Sequence, residues 1–246
     1  MIAAQMLDWL RRPAAELPQI TVAGRILPVV IKRLERSRRL AMRLAPDGSE
    51  VRITMPRWTR TADALAFVQE RSDWLELQLA KLPVPVELIN GVPIPYRGAE
   101  LELQHLAGTS RRVRIEDAAL VLGGPAESLG PRLRRWLEGE AQRLMAQDLA
   151  YFCERAAQAP PRLMLSSAQR RWGSCAHGGT IRINWRLIMA PDFVRRSVVA
   201  HEVAHLVHFD HSPRFHALLG DIYEGDMAAA NRWLKREGRS LYQPFG

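Results

Sequence analysis

The segment His201-Glu202-Val203-Ala204-His205 sets two imidazoles and a carboxylate at helical spacing, and His211 follows six residues later. Residues four apart lie one turn apart on the same face of an α-helix. Two imidazoles so placed can grip one zinc ion, and a glutamate about 100° round the helix from the first stands beside that ion. Three histidine ligands leave a fourth position open, which is the pattern of a catalytic zinc site. Zinc there brings the pKa of a bound water toward ~7, and Glu202 is placed to take its proton and pass it to a leaving group. The expectation is one zinc ion per chain, with Glu202 as the catalytic residue.

Two residues compete for the third ligand position. His208 lies seven residues from His201 and would stay on the same face of a continuing helix, ~10 Å along the axis. Zinc–nitrogen bonds of ~2.0–2.1 Å span that distance poorly. His211 needs a chain reversal, which Asp210 tolerates, and Ser212-Pro213 reads as the N-cap and first residue of a new helix. The spacing therefore predicts a helix that breaks just past Phe209 and returns His211 to the metal. His216, on the following helix, suits a supporting role; His105 and His177 have no ligand spacing.

The element that must carry the histidines is a helix from about Pro191 to Phe209, with Pro191 at its first position. Val194, Val198, His201 and His205 share one side of it, so both imidazoles point inward. Before it, Arg162–Ser167 and Thr180–Trp185 read as strands flanking a loop from Arg171 to Gly179. In that loop Arg171 and Ser174 would line the cleft and bind an anion or a substrate backbone. The structural alternative is that Trp172 packs, Gly173 turns and Cys175 is a buried thiol. Thiolate ligation by Cys175 is a further alternative, since zinc accepts sulfur. Tyr223, His216 and Arg171 are the candidates for stabilising a transition state. A helix over about Pro131–Ala157, with Leu133, Leu137, Leu144, Leu149 and Phe152 buried, precedes these strands.

The N-terminal half reads as β-rich: strands at Ile26–Leu34, Arg39–Leu44 and Glu50–Met55, with Pro46-Asp47-Gly48-Ser49 as hairpin turn chemistry. A helix over Thr61–Leu82 ends at Pro83 and Pro85. Strands return at Val92–Tyr96, Glu100–His105, Arg111–Ile115 and Ala119–Leu122, and Gly123-Gly124-Pro125 reads as a hinge. The expected class is α+β, with a β-rich basic subdomain over residues 1–125 and a metal-binding catalytic subdomain over 126–246.

A chain of 246 residues has room for an ample core, and 47% hydrophobic with 25% charged residues is a globular composition. No run reaches the ~18 apolar residues of a membrane span. The first ten residues lack a signal layout and two cysteines make no disulfide framework, so a cytoplasmic location without membrane contact is expected. The net charge of +9 is concentrated: residues 11–60 hold twelve Lys/Arg against four Asp/Glu. This basic part would attract a nucleotide or nucleic acid. The segment Lys32–Arg39 lacks interleaved aromatics that would stack bases, which favours a solvated strand face instead.

Four ordered motifs carry a resemblance: Gln169-Arg170-Arg171-Trp172-Gly173-Ser174-Cys175, then Ile181-Arg182-Ile183-Asn184, then His201–His205, then His211-Ser212-Pro213-Arg214-Phe215. Together they resemble the YgjP-like metallopeptidase-domain family, which is related to the SprT-like zinc proteins. Arg36-Ser37-Arg38-Arg39 and the hairpin after it are similar to the family's opening strands. The resemblance implies a zincin-like C-terminal part, a small sheet against the active-site helix, with zinc on His201, His205 and His211 and Glu202 as acid and base. His208 stands where the similar metzincin pattern has glycine, a departure that leaves the ligand spacing intact.

Three functions follow as expectations. The first is zinc-dependent hydrolysis of peptide or protein substrates, with the strand at Thr180–Asn184 offering an edge to an extended chain. The second is hydrolysis of a nucleoside triphosphate phosphoanhydride to release pyrophosphate, with the arginine-rich strands holding phosphates. The third is a zinc-stabilised nucleic-acid-binding module, against which stands Glu202, a residue without purpose in a closed four-ligand site.

Overall fold

The structure, a computed structural model, describes residues 17–45, 48–80 and 87–245. The chain is α+β and divides into two compact units, Met1–Leu82 and Pro83–Gly246.

The first unit contains β1 (Gln19–Val22), β2 (Arg25–Arg33), β3 (Ala41–Leu44), β4 (Val51–Met55), α1 (Thr61–Gln69) and α2 (Ser72–Leu79). Its sheet order is β1-β2-β4-β3, with β2 and β4 parallel and the outer pairs antiparallel. Alternation puts Val29, Val51, Ile53 and Met55 on the covered face, where Val68 and Leu75 of the helices meet them. The β3–β4 hairpin forms as its turn chemistry predicts, although Pro46 and Asp47 lie outside the described residues. β1 adds a fourth strand, too short to announce itself by periodicity; it turns into β2 through Ala23 and Gly24, both at positive φ.

The single helix expected over Thr61–Leu82 is two. No apolar residue lies on the stripe between buried Val68 and Leu75, and the helix opens there at Glu70 and Arg71. Residues 81 and 82 and the prolines expected to end the helix lie outside the described residues.

The second unit begins with a sheet of order β5-β6-β8-β7, built from β5 (Pro93–Tyr96), β6 (Ala99–His105), β7 (Arg114–Glu116) and β8 (Ala119–Leu122). The long helix α3 (Leu129–Arg155) follows, then β9 (Leu163–Ser166), β10 (Gly173–Cys175) and β11 (Ile181–Asn184), a second sheet of order β10-β11-β9. Helices α4 (Asp192–Val207), α5 (Pro213–Ile222) and α6 (Met227–Glu237) complete it. The division falls after residue 82, whereas the sequence suggested 125. The physical reason is that Leu103, Leu120 and Leu122 of the first of these sheets share one apolar core with Leu133, Leu137 and Phe152 of α3 and with Val199 and Val203 of α4. Among the described residues no helix is long and apolar enough to cross a membrane.

Charge fixes α4 on α3. Arg195 of α4 donates from Nε to Asp148 of α3 at 2.7 Å, both side chains almost wholly buried, and Arg196 reaches the other carboxylate oxygen at 3.2 Å. Arg196 also pairs with Glu224 after α5. A buried pair that loses one member leaves a charge without a partner, which costs about 3–5 kcal/mol. Asp148→Ala leaves Arg195 with Asp192 and Arg196 with Glu224, so it is expected to lower unfolding stability by about 3 kcal/mol, the low end of that range, in urea titration, whereas Arg134→Ala, which breaks a surface pair with Glu138, changes it by less than about 1 kcal/mol.

Candidate metal centre

The helix α4 carries the central motif. Pro191 is its N-cap in extended conformation rather than its first residue, and the helix stops at Val207, two residues short of Phe209. His208 leaves the helix with φ −127° while its N–H still bonds to the carbonyl of Ala204. The chain then reverses as expected: Asp210 Oδ1 accepts from the N–H of Ser212 at 3.3 Å, Ser212 caps α5 by accepting from Phe215, and Pro213 is the first helical residue.

This reversal brings His211 to the two histidines of α4. His201 Nε2 lies 3.2 Å from His205 Nε2 and 3.3 Å from His211 Nε2. Bonds of ~2.0–2.1 Å at a tetrahedral centre put neighbouring nitrogens ~3.3 Å apart. The spacing therefore suits one tetrahedral ion, and among the described residues this is the only such group of metal-ligating side chains. Cys175 is not in it.

The tautomer agrees. His205 Nδ1 sits 2.9 Å from the carbonyl oxygen of His208, so Nδ1 carries the proton and Nε2 turns a lone pair inward. His208 thus acts through its backbone. Burial, reinforced by the neighbouring His205 and His211, holds His201 down at a pKa of about 4. Its ring is neutral at ordinary pH, the state a metal needs.

Sequence reasoning named Phe215 only within a motif and gave it no role. Its wholly buried ring lies 4.5–5.0 Å from the centroids of all three imidazoles, forming the floor that sets their orientation. His216 is exposed, with its ring 6.4 Å from that of His211. Tyr223 is not brought to the site: it is buried and donates its hydroxyl to the carbonyl of Phe193 at 2.8 Å, near the far end of α4.

Glu202 is buried beside β10, within what the sequence suggested was all loop. In β10 and β11, Trp172, Ser174 and Ala176 face Asn184, Arg182 and Thr180 as the hydrogen-bonded pairs. The amides and carbonyls of Gly173 and Cys175 therefore point to the free edge of the sheet. The N–H of Cys175 donates to the Glu202 carboxylate there. Burial pushes the Glu202 carboxyl up to about 7, against the opposing pull of Arg171 and of that amide. Arg171 is exposed, and Ser174 alternates to the opposite face of the strand, beside Arg182. Of the two residues expected to line the cleft, only Arg171 acts electrostatically on Glu202.

The same arrangement of sheet edge, motif helix and returning histidine lies inside a family match. The YgjP-like family, described as a YgjP-like metallopeptidase domain, matches residues 38–237. The chain belongs to this family. No curated protein and no solved structure matches it. Membership points to a metal-dependent hydrolase.

In this YgjP-like chain Gly173 answers to a close approach. A Cβ there would lie 2.8 Å from the Glu202 carboxyl carbon, whereas one at Gly178 would meet open space. Gly173→Ala is expected to displace the carboxylate and cost about 1–3 kcal/mol of stability by overpacking. Gly178→Ala should leave the thermal melt unchanged. Equal melting of the two variants would contradict this.

Proposed function

We propose that the chain hydrolyses amide bonds of extended peptides, with one zinc ion held by Nε2 of His201, His205 and His211. The observation that carries this is the convergence of three imidazoles, with Nε2 of His201 3.2 Å and 3.3 Å from Nε2 of His205 and His211, beside buried Glu202 and a free strand edge. Zinc bound there would supply Lewis acidity, acidifying a water and polarising the scissile carbonyl.

The chain's own residues do the rest. Glu202 takes the proton of the attacking water; as the water oxygen bonds to the carbonyl carbon and the carbon–nitrogen bond breaks, Glu202 returns the proton to the departing amine. Its raised pKa suits a group that must both accept and give a proton. The free N–H and C=O of Gly173 pair with the substrate backbone as an added strand. This replaces the expectation that Thr180–Asn184 offers the edge: β11 lies between β10 and β9 and its hydrogen bonds are taken. Arg171, at the mouth of β10, would meet a carboxylate or carbonyl of the substrate.

Phosphoanhydride hydrolysis draws less support, because the matching family is described as a metallopeptidase domain. Zinc-free and zinc-loaded protein assayed on denatured protein, mixed peptides and a nucleoside triphosphate panel separates the readings. Peptide fragments should form only with zinc; pyrophosphate release without peptide cleavage would replace the proposal with the nucleotide reading.

Two variant series test the residues. His201→Ala, His205→Ala and His211→Ala should each lose zinc by elemental analysis. His208→Ala should keep it, because its contribution is a main-chain carbonyl. Glu202→Gln should keep zinc and lose turnover by a factor of about 10²–10⁴. Turnover equal to that of the unaltered chain would remove Glu202 from the mechanism.

A further inference from the structure

Part of the basic charge of the first unit lies on its strands, such as Arg43 and Arg52, and part collects at one end of the sheet. Strands β2 and β4 are parallel, so the residues after each leave from the same end of the sheet. β3 is antiparallel to β4 and starts at that end. Because β4 lies between β2 and β3, the connection over residues 34–40 has to cross the end of β4, where the loop over residues 56–60 emerges. Contacts record the crossing: Leu34 N–H donates to the Met55 carbonyl at 2.9 Å, Arg57 pairs with Glu35 at 2.6 Å, and Arg33 donates to the carbonyls of Arg57 and Thr59.

Two basic segments far apart in sequence thus meet at one sheet end. Arg36, Arg38 and Arg39 come from the crossing connection, and Arg60 from the loop. All four are exposed, and none of their guanidiniums is in an ion pair among the described residues, while the N–H of Arg60 donates to the Asp63 carboxylate at 3.3 Å. At the tip of the loop stands Trp58, 73% exposed, between Arg57 and Arg60. Tryptophan is among the costliest side chains to leave in water, and here none of the described residues of the unit covers it. The aromatic that the segment 32–39 lacks in sequence is supplied in space by the loop after β4.

We propose that this end of the first unit's sheet binds single-stranded nucleic acid, with Trp58 stacked on a base and Arg36, Arg38 and Arg60 on flanking phosphates. A cationic track with an exposed indole is the pairing that single strands require: the bases offer π-faces only when unpaired, and the charge follows the backbone. A duplex hides those faces. An acidic peptide would satisfy the arginines and leave the indole without a partner.

The test is fluorescence anisotropy of the full chain against a labelled oligothymidylate, a duplex of the same length and polyglutamate, over a range of salt. The oligothymidylate should bind most tightly. Trp58→Ala should weaken it about tenfold, with Trp58→Phe recovering most of the loss. Arg38→Ala and Arg60→Ala should each flatten the logarithmic salt dependence by about 0.7. Trp58 is exposed, the Arg38 and Arg60 guanidiniums are in no ion pair among the described residues, and Arg60→Ala keeps the N–H that bonds Asp63, so unchanged thermal melts are expected and a loss of binding reads as a loss of contact. No binding at low salt, an unaltered affinity in Trp58→Ala, or equal affinity for duplex or polyglutamate would overturn the proposal. A loss of peptide hydrolysis has no bearing on it, since the readout is binding alone.

Discussion

Three imidazoles converge in this chain, with Nε2 of His201 3.2 Å from that of His205 and 3.3 Å from that of His211, and lone pairs brought that close repel one another. The carbonyl of His208 fixes the His205 tautomer so that its lone pair points inward, and burial keeps His201 uncharged. A bound cation would offset that repulsion. The helix ending at Val207, the reversal through Asp210 and Ser212, and the floor made by Phe215 are the structural conditions for bringing those rings together.

Rigidity around the cluster comes from two different sources. Apolar packing from Val194, Val199 and Val203 holds one side of α4 in the core. The Arg195–Asp148 pair ties the same helix to α3 where no apolar contact could do so directionally. A buried ion pair is a weak source of net stability, but it penalises every alternative seating of the helix that would leave either charge unpaired. That suits a helix whose histidines must converge to within tenths of an ångström.

Charge is handled differently on α4 of the second unit and at the sheet end of the first. In the second, the arginines of α4 are absorbed into pairs with Asp148, Asp192 and Glu224. In the first, the crossing connection gathers arginines at one sheet end with few carboxylates to answer them. Net charge therefore says little by itself; the topology of the sheet decides whether it is neutralised internally or displayed.

His201, Glu202 and His205 were legible because helical spacing alone puts them on adjacent faces, and the turn to His211 because Asp, Ser and Pro have local backbone preferences. Long strands and the stripe of α3 were legible for the same reason: periodicity is a property of neighbours in sequence. The strand nature of Gly173–Cys175 and its free edge were not, since each depends on what packs against the segment. Gly173 reads as a turn residue in sequence, but Glu202 lies beneath it, and the loop after β4 delivers Trp58 beside the crossing arginines. The sequence alone determined which side chains could do chemistry and which faces they shared; the tertiary structure alone decided which backbone edge stayed open and which distant charges became neighbours, because hydrogen-bond pairing and strand order are set by contacts between segments.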